Sequence, residues 1–82
     1  MNQMRRELKY NWLLTFPGNW KTKEGYILST IDRPAKRGFG WYRFKHHEFE
    51  VQGSFQAQLK AEELIESDLE MFERALDNVQ YL

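Results

Sequence analysis

Apolar and polar residues alternate at the start of the chain. In LKYNWLLTF, Leu8, Tyr10, Trp12, Leu14 and Phe16 fall on one side and Lys9, Asn11 and Thr15 on the other, a period of two that predicts a half-buried strand. PGNWKTKEG follows; its Pro17-Gly18-Asn19 start and its lysines predict a solvated connection. YILSTI, residues 26–31, is β-branched enough for a second strand, and DRPAKRG closes it with a proline and three cations.

The next apolar run changes phase. Tyr42 and Phe44 are even-numbered, Phe49 and Val51 odd, so GWYRFKHHEFEV does not read as one continuous strand. Folded back on itself with His46-His47 at the tip, it places Phe44 opposite Phe49 and Tyr42 opposite Val51 on one face. The other face then pairs Lys45 with Glu48 and Arg43 with Glu50. Matched apolar and opposite-charge pairs stabilise antiparallel neighbours, although His-His is a poor choice for the positive φ of a tight hairpin turn.

From Ser54 the period becomes helical. Ala61, Leu64, Ile65, Leu69, Phe72, Leu76 and Val79 recur at three- and four-residue steps, with Gly53-Ser54 as start and cap. On another face Glu63, Glu66, Glu70, Glu73 and Asp77 form an acidic stripe. The expected fold is α+β: a four-stranded antiparallel meander over residues 1–53, packed by one amphipathic helix over residues 54–80, in a single domain spanning residues 1–82. About 24 helical residues span about 36 Å, whereas seven- or eight-residue strands reach about 25 Å. The helix end should therefore overhang the sheet. Phe72, Leu76 and Val79 are expected to pack there against a second copy, making a homodimer, or against another protein.

Composition refines the picture. Of the 82 residues 16% are aromatic, enough large rings to support an ordered core at this size. No apolar run approaches membrane-span length and MNQMRREL lacks the apolar stretch of a signal peptide, so a soluble cytoplasmic protein without membrane association is expected. The absence of cysteine excludes a disulfide framework, a thiolate nucleophile and a cysteine zinc site. The net charge of zero conceals a division: residues 1–47 hold ten Lys or Arg against three acids, and residues 48–82 hold two against nine. Nucleic-acid binding would have to be local to one surface.

Three groups of residues carry candidate chemistry. His46, Glu48 and Glu50 could share a strand face and offer metal ligands, but a hairpin that gives both glutamates cationic partners makes a structural turn the better reading. Ser29, Ser54 and Ser67 lack a nucleophile motif, and the two glycines of Gly38-Phe39-Gly40 lack the setting of a phosphate loop. Neither a catalytic site, a cofactor nor a metal is expected.

The second group is basic and aromatic: Trp41, Arg43 and Lys45 on an outer sheet face, beside Lys9 and a loop holding Arg33, Lys36 and Arg37. Such a surface suits single-stranded nucleic acid, because phosphates need charge and unstacked bases need a flat partner. The third is the acidic stripe. Its carboxylates recur roughly every 5–6 Å along the helix, comparable to phosphates on a strand, and could enter a basic groove. The favoured expectation is a small non-enzymatic regulator or inhibitor of mobile-element or phage type, binding a nucleic-acid-associated protein through that stripe. The alternatives are a single-strand nucleic-acid binder and a structural oligomerisation module.

Overall fold

The computed structural model describes the backbone of residues 7–80 and the side chains of residues 7–71. Five strands precede one helix: β1 (Leu13–Phe16), β2 (Asn19–Lys21), β3 (Ile27–Ile31), β4 (Gly40–Phe44), β5 (His47–Val51) and α1 (Ser54–Gln80). The strands form one antiparallel sheet in the order β1-β2-β3-β4-β5, so the expected α+β meander is present with one strand more. The additional strand, β2, lies inside the stretch expected to be a solvated connection. Three residues with a single apolar member, Trp20, are too few for alternation to show.

The amino-terminal stretch differs most from expectation. Only Leu13–Phe16 of residues 8–16 is strand, and Leu14 and Phe16, expected to be half-buried, are each 62% exposed. Two physical causes separate the segment. The backbone N–H groups of Lys9 and Tyr10 donate to the Glu62 carboxyl on α1 at 2.8 and 2.9 Å, so this part of the chain is tied to the helix and not to a strand neighbour. Further on, the β1–β2 register shifts between Leu14 and Phe16, and this bulge moves Phe16 off the face that alternation assigned to it.

Between β1 and β2 the chain turns at Pro17-Gly18. Pro17 has its φ set by its ring and Gly18 has φ 83°, the combination a type II turn requires. A Cβ on Gly18 would lie 2.6 Å from Thr30 Oγ1, and the Thr30 N–H donates to the Gly18 carbonyl at 2.9 Å. This close approach locks the turn against β3.

The β4–β5 hairpin exists, in a different register from the expected one. Phe44 faces His47, Arg43 faces Glu48, Tyr42 faces Phe49 and Trp41 faces Glu50. The expected pairs Phe44 with Phe49, Tyr42 with Val51, Arg43 with Glu50 and Lys45 with Glu48 are not formed. Lys45 and His46 make the turn, Lys45 supplying the positive φ, 56°, while His47 belongs to β5. The slip is two residues, and a slip of two leaves every side chain on its face. The periodicity that revealed the hairpin therefore could not fix its tip.

One sheet face packs against α1. Trp12, Leu28, Tyr42, Phe44, Ala57, Ala61 and Ile65 form the buried cluster, in which the Trp12 and Phe44 rings meet edge-on at 6.1 Å. Ala57 and Ala61, fully buried, keep the helix backbone close to the sheet. At the start of α1 the Gly53 carbonyl accepts the Ala57 N–H at 3.1 Å, so Gly53 takes the cap position and Ser54 opens the helix. Beyond Glu66 the described side chains of the helix are exposed, Leu69 at 49% and Met71 at 63%. A helix of 27 residues is about 40 Å long, against about 17 Å for a five-residue strand, so the helix outruns the sheet it covers. The side chains of Phe72, Leu76 and Val79, expected at an oligomer interface, lie outside the described residues.

Candidate functional surfaces

The sheet face turned away from α1 carries the basic aromatic group. Trp41, Arg43, Glu48 and Glu50 occupy it, since each lies in the alternate phase to the buried Tyr42, Phe44 and the half-buried Phe49. Arg43 Nη2 donates to Glu48 Oε2 at 2.6 Å, and Arg33 Nη2 donates to Glu48 Oε1 at 3.0 Å. The hydrogen bond from Arg43, then that from Arg33, holds the Glu48 carboxyl below the usual carboxylate range. The Arg33 guanidinium also lies 4.6 Å from the centre of the Trp41 ring, and Trp41 Nε1 donates to the Pro34 carbonyl at 3.2 Å. Glu50 accepts the Lys36 N–H at 2.8 Å, while Lys36 Nζ sits 4.9 Å from the Phe39 ring centre. Arg37 is exposed in the same loop. This face therefore contains its own counter-ions, and its tryptophan has a cation on one side.

Two cations expected on that face are elsewhere. Lys45 Nζ donates to Asp68 Oδ2 on α1 at 2.8 Å, which lowers the Asp68 carboxyl from its ordinary value. Lys9 Nζ pairs with Glu66 Oε2. Both bridges join the basic half of the chain to the acidic half within one molecule. Part of the stripe is thereby engaged in holding the fold: Glu66 has Lys9, while Glu63 and Glu70 are exposed on the same helix. The side chains of Glu73 and Asp77 lie outside the described residues.

Glu62 is the acid that the stripe pattern passes over. Its side chain is fully buried and accepts three hydrogen bonds: from Lys9 N–H, Tyr10 N–H and, at 2.9 Å, Trp12 Nε1. Burying a carboxyl is costly unless it is fully hydrogen-bonded, and here the donors all come from the segment the helix must hold. A signal was present in the sequence: Glu62 adjoins Ala61 and precedes Ile65 by three, which places it on the apolar face.

The histidines are neighbours with stacked rings, centroids 4.4 Å apart. Glu48 is engaged by two arginines and Glu50 by a backbone N–H. Among the described residues no three of His, Cys, Asp and Glu gather into a group that could hold a metal.

A further surface was not foreseen. Pairing carries Leu13 beside Lys21 and Ile27, and Phe16 beside Asn19 and Ser29; Ser29 pairs with Arg43, so all of these lie on the open face. Leu13 is 57% and Ile27 54% exposed. Thr15, Phe16, Asn19, Lys21 and Ile27 surround a hollow of about 300 Å³. Ile27 also borders a second hollow, of about 340 Å³, with Ser29 and Arg43. The bulge in β1, which brings Phe16 to this face, is what alternation alone could not anticipate.

Comparison with protein-family models, with curated proteins and with solved structures found no match to this chain. No helix among the described residues is long and apolar enough to cross a membrane.

Proposed function

We propose that this chain is a non-catalytic protein-binding regulator whose contact surface is the apolar end of the open sheet face. The observation that carries the reading is the grouping of Leu13, Phe16 and Ile27 on one face, each more than half exposed, with Phe16 and Ile27 lining a hollow beside Lys21 and Leu13 paired with Lys21. Apolar side chains gathered in one place and rimmed by polar ones mark interaction surfaces, whereas scattered ones do not. The fitting partner is a protein with apolar side chains and a carboxylate to meet Lys21.

The charged surfaces favour this reading over direct nucleic-acid binding. Glu48 and Glu50 stand among the cations that phosphates would need, and carboxylates on that surface weaken phosphate binding. Arg33 occupies a position over the Trp41 ring where a base would stack. Glu63 and Glu70, exposed on the helix that packs against the other sheet face, would add to protein binding.

Immobilised full-length chain and its Ile27→Asp variant, exposed to the same cell extract, test the reading. The wild-type chain is expected to retain a protein that the variant does not. Identical retention by both, or salt-sensitive micromolar binding of a single-stranded oligonucleotide with no retained protein, would overturn it.

A further inference from the structure

The two edges of the sheet differ in a way that suggests what covers one of them. β5, at one edge, carries Glu48 and Glu50, charges of the kind that protect an exposed edge from pairing. The β3–β4 loop reaches this strand, through Arg33 to Glu48 and Lys36 to Glu50. β1, at the other edge, is Leu-Leu-Thr-Phe. It contains no charge and no proline, all four of its residues are exposed, and among the described residues it pairs with β2 alone. An uncharged apolar edge whose outward backbone groups have no strand partner among the described residues is a template for another strand.

We propose that β1 pairs antiparallel with β1 of a second copy across a two-fold axis, joining the two sheets edge to edge. The bulge makes the strand self-complementary. Leu13 lies on the open face through its partner Lys21, and Phe16 lies on the same face through Asn19. With the axis between Leu14 and Thr15, Leu13 of one copy stands opposite Phe16 of the other on that common face, twice over. No like charges meet in the paired segment, and the chain's net charge of zero adds no general repulsion. Pro17, which lacks a backbone N–H, follows directly and limits the ladder to β1. Isologous pairing is closed: the joined sheet would end at a charged β5 edge on both sides, so assembly stops at the dimer. A foreign extended peptide could use the same edge; it would lack the matched Leu13–Phe16 contacts on both sides of the axis. The pairing stands independently of the partner reading above, and it would merge the two apolar ends into one continuous surface.

Sedimentation equilibrium of the full chain across a hundredfold concentration range, with amide hydrogen exchange at the two extremes, is the test. A reversible monomer–dimer equilibrium is expected, with exchange at amides of residues 13–16 slowing as concentration rises. Leu14→Lys, at a position 62% exposed and thus tolerant in the monomer, brings two cations together near the axis and should weaken association at least tenfold. Leu69→Lys, on the exposed part of the helix, should leave it unchanged. A monomer throughout the range would overturn the proposal. So would a dimer that withstands Leu14→Lys, or one lost on Leu69→Lys with no protection at residues 13–16.

Discussion

Glu62 and Trp12, 50 positions apart in the chain, are joined by a buried hydrogen bond of 2.9 Å from the indole Nε1 to the carboxyl Oε2. The same carboxyl accepts the backbone N–H groups of Lys9 and Tyr10. One helical side chain thus holds residues 9–12 and positions Trp12 against Phe44.

Glu62→Ala would leave three donors without their acceptor. Each buried donor left unpaired costs about 1–3 kcal/mol, and some relaxation toward solvent is open to the two backbone groups, so a loss of about 3 kcal/mol is expected. Urea unfolding followed by tryptophan fluorescence measures it. A change below about 0.5 kcal/mol, within the range of ordinary surface substitutions, would mean that the segment is held by its rings alone.

Gly18→Ala combines two costs. The residue would have to keep φ 83°, and its Cβ would press on Thr30 Oγ1. Together these should destabilise the protein by about 1–3 kcal/mol. Adding Thr30→Ala removes the contact and leaves the backbone strain, so thermal unfolding should recover only part of the loss. Full recovery would show that the dihedral contributes nothing.

Glu48 and Asp68 predict a pH dependence of definite sign. Both carboxyls are held below their ordinary values in the folded protein, Glu48 by Arg43 and Arg33 and Asp68 by Lys45. A carboxyl lowered on folding contributes stability fully above its unfolded value, about 4 for these groups, and loses it as pH falls through the folded value. Carboxyl NMR titration of the Arg43→Ala variant should move the Glu48 midpoint upward while Arg33 keeps it below that of an unpaired glutamate. An unmoved midpoint would assign the effect to Arg33 alone.

Ala61 sits fully buried where α1 meets the sheet. Ala61→Leu would force apart elements that pack through small side chains, at a cost of about 1–3 kcal/mol. Denaturant unfolding checks this, with Lys60→Leu, one position along and exposed, as the comparison. Equal behaviour of the two variants would show that the helix does not pack closely at Ala61.

Where the sequence was legible, periodicity was the reason. Tyr42 and Phe44, with Phe49 in the second arm, marked the two faces of a hairpin, and Ala61 and Ile65 marked the inward side of a helix; both assignments agree with the structure. The hairpin tip was illegible because a two-residue slip exchanges Phe49 for His47 opposite Phe44 without moving any side chain to the other face. β2 was illegible because Trp20 alone shows no period. The candidate surfaces were legible as charges and rings but not as contacts: Lys9 and Lys45 read as part of a basic sheet face, and each is bound to the helix.

The order of the elements, the hairpin faces, the amphipathic helix and its excess length follow from local spacing, which records which side of an element is wet. Which acid turns inward, which cations meet which carboxylates, where β1 bulges and which apolar residues remain uncovered were decided only when distant segments met. Those outcomes depend on pairings of groups up to 50 positions apart and on backbone register, neither of which leaves a periodic trace along the chain.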